Sequence, residues 1–128
     1  MTEAYIVDAM RTAGGRRNGA LAGWHPADLA AQVIDEVVAR AGADPAAIDD
    51  VILGCVVQIG QQAMNVARNA VLASSLPESV PATTIDRQCG SSQQALHFAA
   101  QAVLAGTMDV VIAGGVASMS PLPISSST

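Results

Sequence analysis

A chain of 128 residues, 51% hydrophobic and only 13% charged, has the size and composition of one domain with a buried α/β core. The net charge of −5 and the lack of a basic patch argue against nucleic acid as a partner. The N-terminus has no signal-like segment and the sequence no apolar run of membrane-spanning length, so we expect a cytoplasmic protein without a membrane partner. In that compartment the two cysteines are expected to be free thiols.

The first third of the sequence predicts a strand followed by a helix. The apolar stretch 4–9 predicts the strand, and a glycine-rich loop over 14–19 follows it. Pro26 suits the first turn of a helix, along which apolar residues recur every four positions, and Gly42 suits its end. A single capped turn is expected over 44–47.

Strands and helices continue to alternate in the rest of the sequence. The continuous apolar run 51–57 is typical of a strand buried on both faces, and a helix over 64–73 follows it. A strand over 83–88 leads into a helix over 93–104, and 109–113 predicts a last strand. The order β-α-β-α-β-α-β predicts an α/β fold, with a mostly parallel sheet flanked by helices.

Cys89 lies where the third predicted strand meets the third predicted helix. The N–H groups at a helix start lack partners, and the helix dipole favours negative charge there. Such a setting stabilises the thiolate that acts as a nucleophile, and the run 90–92, Gly-Ser-Ser, favours close approach of a ligand. A small buried cysteine at a helix start accounts for the same pattern, so the residues alone leave both interpretations open.

The sequence does not place a base beside Cys89, although a cysteine nucleophile needs one. His97 lies further along the same predicted helix, about 12 Å from Cys89 along the axis, and is expected to be a surface or interface residue. His25 precedes Pro26 and is expected at a helix start. Cys55, within an apolar strand, is expected to be an inert core residue.

The glycine motifs indicate packing more than cofactor binding. The loop 14–19 lacks the pattern of a phosphate loop, and no dinucleotide-binding glycine fingerprint is present. Gly114 and Gly115 predict close backbone packing at a strand end, on the side of the sheet where α/β proteins bind ligands. No metal-ligand spacing is found, so no metal site is expected.

Four segments resemble the motifs of thiolases. Residues 87–91, Arg-Gln-Cys-Gly-Ser, followed by Gln-Ala at 94–95, resemble the motif around the family's nucleophilic cysteine. Residues 113–120 are similar to a second N-terminal signature, and 8–12 and 61–68 match other characteristic segments. The resemblance covers essentially the whole chain and rests on several specific motifs.

The resemblance implies an acyltransferase, either an acetyl-CoA acetyltransferase or a 3-ketoacyl-CoA thiolase. By this resemblance, Cys89 would attack the 3-keto carbonyl of a 3-ketoacyl-CoA, and acetyl-CoA would be released. The acyl group left on Cys89 would then be transferred to free coenzyme A. The reverse reaction is a Claisen condensation. The backbone N–H of Cys89 would help to bind the oxyanion. Coenzyme A is then a substrate, no covalently bound cofactor is implied, and none of the residues is assigned to binding it.

The resemblance also implies that these residues are one part of a larger assembly. Thiolases are longer, and their catalytic histidine and second cysteine lie in C-terminal motifs, Gly-His-Pro and Cys-x-Gly, without a counterpart here. We expect residues 1–118 to form an incomplete N-terminal core domain, and 119–128 to begin the loop-domain insertion or a linker. Activity is expected to need a C-terminal remainder or second subunit, so that the isolated chain is inactive. The family also implies a homo-oligomer, a dimer or tetramer.

Two residues depart from the thiolase pattern, and other functions compete with it. Ser92 stands where many thiolases have glycine, and Ala117 where many have glutamate, which puts local packing and acyl-chain preference in doubt. The nearest alternative is a condensing enzyme such as a ketoacyl synthase or hydroxymethylglutaryl-CoA synthase. A non-catalytic interaction module and a redox switch between Cys55 and Cys89 are further alternatives.

Overall fold

A sheet of three parallel strands lies at the centre of the fold, which a computed structural model describes for residues 3–123. The strand order is β2-β1-β3, with β1 in the middle. The helices are α1 (Pro26–Ala41), α2 (Val66–Ala73) and α3 (Ser91–Leu104), and the strands are β1 (Asp50–Gly54), β2 (Ala82–Ile85) and β3 (Val111–Gly115). Short 3-10 turns over Pro45–Ala47 and Gly60–Gln62 complete the elements of this part of the chain. The predicted α/β class, with a parallel sheet flanked by helices, is confirmed.

The helices cover both faces of the sheet. Val51 and Leu53 of β1 pack with α1 and α2 in one cluster, whereas Ile52 packs with Ala95 and Ala99 of α3 in another. Successive side chains of a strand point to opposite faces, so this alternation places α1 and α2 on one side and α3 on the other. The prediction that β1 is buried on both faces is confirmed.

Helix α1 begins and ends where the sequence predicts. His25 is its N-cap residue, and the imidazole Nδ1 accepts a hydrogen bond from the Ala27 N–H at 3.1 Å. Gly42 ends the helix in the left-handed conformation, with φ +66°. Helix α2 instead begins two residues later than predicted, because Met64 and Asn65 both have left-handed backbones, with φ +58° and +60°.

The predicted first strand over 4–9 is wrong. This segment has no strand structure, and Tyr5, Ile6 and Val7 are 76%, 73% and 79% exposed. A strand needs a neighbouring strand for its backbone hydrogen bonds, and this segment pairs with neither edge of the described sheet. An ion pair between Arg40 and Asp8, 3.2 Å from nitrogen to oxygen, connects the segment with α1.

The proposed boundary at residue 118 falls shortly after β3. The second predicted segment, 119–128, lies partly outside the described residues, which end at 123. Within residues 3–123, no helix has the length and apolar character needed to cross a membrane.

Two glycines allow α3 to lie directly on the carboxyl ends of the strands. A Cβ atom built on Gly54 would come within 2.4 Å of the Ser91 carbonyl carbon and 2.5 Å of the Ser92 nitrogen. A Cβ atom on Gly115 would come within 1.8 Å of the Ser92 Oγ. The contact at Gly54 is with backbone, which cannot rotate away as a side chain can.

We therefore expect Gly54→Ala to destabilise the fold by at least about 2 kcal/mol, because the methyl group forces α3 away from the sheet. Chemical denaturation followed by circular dichroism measures the change. Gly114→Ala is the matched control, since its Cβ would meet only the Leu53 Cδ2 at an ordinary 3.5 Å. A free energy of unfolding that falls equally in both variants would contradict the close approach.

Asp49 connects the starts of β1 and β3. Its Oδ2 accepts hydrogen bonds from the Asp109 N–H at 2.7 Å and the Val110 N–H at 3.1 Å. These two bonds favour the carboxylate and lower the pKa of Asp49 below its ordinary 3.8. The neighbouring Asp50 has a raised pKa, because partial burial penalises its charge.

A lowered pKa in the folded state stabilises the fold above the ordinary carboxyl pKa, and this contribution is lost as the pH falls through the folded value. As the pH falls from about 5 to about 2, we expect the wild-type protein to lose more stability than the Asp49→Asn variant, because only the wild-type side chain titrates. Denaturant midpoints at a series of pH values measure the difference. Parallel curves for the two proteins would show that Asp49 makes no such contribution.

Candidate active site

A cleft of about 320 Å³ opens at the carboxyl end of the sheet. Its walls are the ends of β1 and β3 and the loop that leads into α3. The lining residues are 54–56, 115–117, Gln88, Cys89, Ser91 and Ser92. In register, Gly54 of β1 lies between Ile85 of β2 and Gly115 of β3, so the cleft lies above the point where three parallel strands end together. Ligands of α/β proteins commonly bind at this end of the sheet.

Cys89 lies in this cleft as an exposed free thiol, two residues before the start of α3. Its position at a strand-to-helix junction agrees with the prediction, although four residues separate the end of β2 at Ile85 from the N-cap Gly90. Within residues 3–123, the Cys89 N–H makes no hydrogen bond, and no side chain caps α3. The thiol therefore has a backbone donor on its own residue that is available to a ligand.

The loop around Cys89 is a tight turn with its own hydrogen bonds. Gln88 has a left-handed backbone, with φ +48°. The Gln88 N–H donates to the Asp86 Oδ1 at 2.8 Å, and the Gly90 N–H donates to the Arg87 carbonyl oxygen at 3.0 Å. These hydrogen bonds give the loop that carries Cys89 a defined conformation.

Cys55 lines the same cleft but differs from Cys89 in its environment. Its side chain is 2% exposed, and its Sγ makes a weak hydrogen bond to the Val57 carbonyl oxygen at 3.9 Å. Burial raises the pKa of the Cys55 thiol, so this sulfur stays protonated and unreactive. The structure thus agrees with the prediction of an inert core residue.

Neither histidine lies in the cleft. His25 caps α1, and His97 lines a separate shallow groove on α3 with Arg87, Gly90 and Gln94 among its neighbours. The described residues 3–123 therefore bring no imidazole to the wall of the Cys89 cleft. In the same part of the chain, no group of three or more His, Cys, Asp or Glu side chains could hold a metal ion.

Gln62 supports the cleft, a role that its sequence position alone does not predict. The side chain is 1% exposed; its Nε2 donates to the Val57 carbonyl oxygen at 2.7 Å, and its Oε1 accepts from the Ser118 N–H at 2.6 Å. The amide thereby connects the segment after β1 with the segment after β3. Gln62 lies within 61–68, one of the four segments that match family motifs, and this match was the sign in the sequence that could have identified it.

Comparison with known proteins adds independent information about this arrangement. A family model described as "Thiolase, N-terminal domain" matches residues 4–128. The chain is 60% identical to a steroid 3-ketoacyl-CoA thiolase of Mycobacterium tuberculosis, over 98% of this chain and 31% of that protein. It is 52% identical to a beta-ketoadipyl-CoA thiolase of Escherichia coli, over 96% and 31%. The chain thus spans about a third of the length of these curated relatives.

A solved structure resembles the fold as well. The crystal structure of the Bacillus anthracis acetyl-CoA acetyltransferase superposes with a TM-score of 0.78 at 44% identity. The match covers 83% of this chain and 27% of that one.

The two thiols are expected to react very differently with iodoacetamide. Cys89 should be alkylated in the native protein, whereas Cys55 should stay unmodified until denaturant exposes it, because it is buried and protonated. Peptide mapping by mass spectrometry after native and denatured labelling distinguishes the two sites. Equal native labelling of both cysteines would contradict the described environments.

Proposed function

This chain belongs to the thiolase family, and we propose that Cys89 is the nucleophile on which acyl transfer takes place. The observation that carries the proposal is the exposed Cys89 thiol in the cleft at the carboxyl end of the sheet, beside a backbone N–H without an acceptor in residues 3–123. Cys55, the other thiol of the cleft, is buried and protonated and cannot take this role.

The proposed reaction is the thiolytic cleavage of a 3-ketoacyl-CoA. The Cys89 thiolate adds to the 3-keto carbonyl, and the bond between the α-carbon and that carbonyl then breaks. The α-carbon takes up a proton as acetyl-CoA leaves, and the acyl group stays on Cys89 as a thioester. A coenzyme A thiol attacks the thioester and regenerates the Cys89 thiol. Run in reverse, the same steps join two acyl-CoA molecules.

The backbone around the cleft suits this chemistry. Addition to the carbonyl places negative charge on its oxygen, and a preorganised N–H that has no other acceptor can stabilise that charge. We propose that the Cys89 N–H is one such donor. Ala117, on the wall of the cleft, carries only a methyl side chain.

The substrate is proposed to be a 3-ketoacyl-CoA, with coenzyme A as the second substrate. The relatives named above are, by name, a steroid 3-ketoacyl-CoA thiolase and a beta-ketoadipyl-CoA thiolase. Their acyl groups differ, and what they share is the ketoacyl thioester of coenzyme A. These names favour a thiolase over the condensing-enzyme alternative. The free state of both thiols gives the redox-switch alternative no support.

The base is proposed to come from a part of the protein other than residues 3–123, because those residues place no histidine in the cleft. We propose that residues 1–118 are an N-terminal core domain, and that 119–128 begin a linker or inserted loop domain. A C-terminal remainder or second subunit would then supply the base and the residue that protonates the α-carbon. The active species is proposed to be a homo-oligomer.

Acylation of this chain by acetyl-CoA tests the nucleophile directly. Excess acetyl-CoA at mildly alkaline pH is expected to leave one acetyl thioester, located on Cys89 by peptide mapping. Hydroxylamine should remove it, as it removes thioesters. Cys89→Ala is expected to stay unacylated.

Cys55→Ala is the matched control and is expected to be acylated like wild type. Acylation that persists in Cys89→Ala, or that is located on Cys55, would overturn the assignment of Cys89.

A further inference from the structure

The residue before Cys89 has an unusual backbone conformation. Gln88 has a φ of +48°, in the left-handed region that residues with a side chain rarely adopt. Such a conformation persists only where the surrounding contacts hold it. The contacts that hold Gln88 therefore determine where the next residue, Cys89, points.

The hydroxyl group of Ser91 makes two hydrogen bonds across this turn. Its Oγ accepts from the Arg87 N–H at 2.8 Å and donates to the Gln88 carbonyl oxygen at 2.6 Å. The first bond fixes the peptide before Arg87, and the second fixes the peptide that joins Gln88 to Cys89. Asp86 also accepts from the Gln88 N–H, but with an exposed side chain.

Ser91 is itself held in place by the sheet. It is 4% exposed and is the first residue of α3, and its backbone lies against Gly54 of β1. The hydroxyl has one hydrogen to donate, and the Gln88 carbonyl already receives it. Ser91 therefore acts on the loop backbone and has no proton left to donate to a substrate.

We infer that Ser91 is a positioning residue for Cys89. Its hydroxyl holds Gln88 in the left-handed conformation, so that the Sγ and the N–H of Cys89 are presented to the cleft together. The inference rests on the proposed function, because it assigns Ser91 a purpose only if Cys89 accepts acyl groups.

Two reactions of the Cys89 thiol separate positioning from exposure. Iodoacetamide forms a sulfur–carbon bond and releases iodide, and this reaction needs only an accessible thiolate. Acetyl-CoA instead passes through an oxyanion: the thiolate adds to the thioester carbonyl, the bond to the coenzyme A sulfur breaks, and coenzyme A leaves as a thiolate. Only the second reaction gains from a donor placed beside the sulfur.

We expect Ser91→Ala to lower the rate of acetylation of Cys89 about tenfold or more, because the loop no longer presents the N–H with the sulfur. The rate of alkylation should change by less than about twofold, since the thiol stays exposed. Adding Gln88→Gly to Ser91→Ala should restore most of the acetylation rate, because glycine adopts a positive φ without steric cost. Intact mass spectrometry over time measures both rates.

Ser74→Ala is the matched control. The Ser74 Oγ also donates to a carbonyl oxygen, that of Val71 at 2.6 Å, and accepts from an N–H, that of Leu76 at 3.1 Å. Its removal costs the same kinds of bond at the end of α2, and both reaction rates should stay at the wild-type value. Protection of Cys55 from iodoacetamide checks that each variant is folded.

Exposure of Cys55 in Ser91→Ala would mean that this variant is not folded. In that case Gln88→Val tests the left-handed conformation of residue 88 from an exposed position, since a β-branched side chain disfavours a positive φ. It should lower acetylation and leave alkylation unchanged. Wild-type acetylation of Cys89 with no loss in these variants, or a loss that Gln88→Gly does not relieve, would overturn the positioning role alone. No acetylation of wild-type Cys89 would overturn the proposed function and this inference with it.

Discussion

The close approach of α3 to the carboxyl ends of β1 and β3 is the contact on which the site depends. It exists because Gly54 and Gly115 leave no side chain between the sheet and the start of the helix. This contact fixes Ser91 against β1, and Ser91 in turn binds the backbone on both sides of Gln88. The position of the Cys89 thiol therefore depends on the packing of α3 against the sheet and on the hydrogen bonds of the buried Ser91 hydroxyl.

Two thiols line one cleft but lie in different environments. Cys55 follows β1 directly and is buried with the core, and this burial raises its pKa and keeps it protonated. Cys89 follows a loop that carries it out of the core, at the start of a helix that no side chain caps. Local environment thus separates the exposed sulfur of Cys89 from the buried sulfur of Cys55.

Much of this arrangement can be predicted from the sequence, because it depends on local patterns. The helix boundaries at Pro26 and Gly42 and the junction at Cys89 are found where such patterns place them, whereas β1 ends at Gly54, three residues before the end of its predicted apolar run at 57. The stretch 4–9 shows the limit, since an apolar pattern records a tendency to form a strand but not whether a partner strand is present. The left-handed conformation of Gln88 is not indicated by any propensity of glutamine; it accompanies hydrogen bonds of the nearby Ser91 hydroxyl, and Ser91 itself packs against the distant Gly54.

The groups that the proposed acyl transfer needs differ in how far apart they lie in the protein. The sulfur and the N–H of Cys89 belong to one residue, so a single turn sets their relative position, whatever else binds to this part of the chain. Proton transfer needs a second side chain, and neither His25 nor His97 lies on the cleft wall. On the proposed function, acylation of the Cys89 thiol is a local property of the fold, whereas base-assisted turnover depends on another part of the protein. Acylation can therefore be measured with this chain, and turnover only where a base is brought to Cys89.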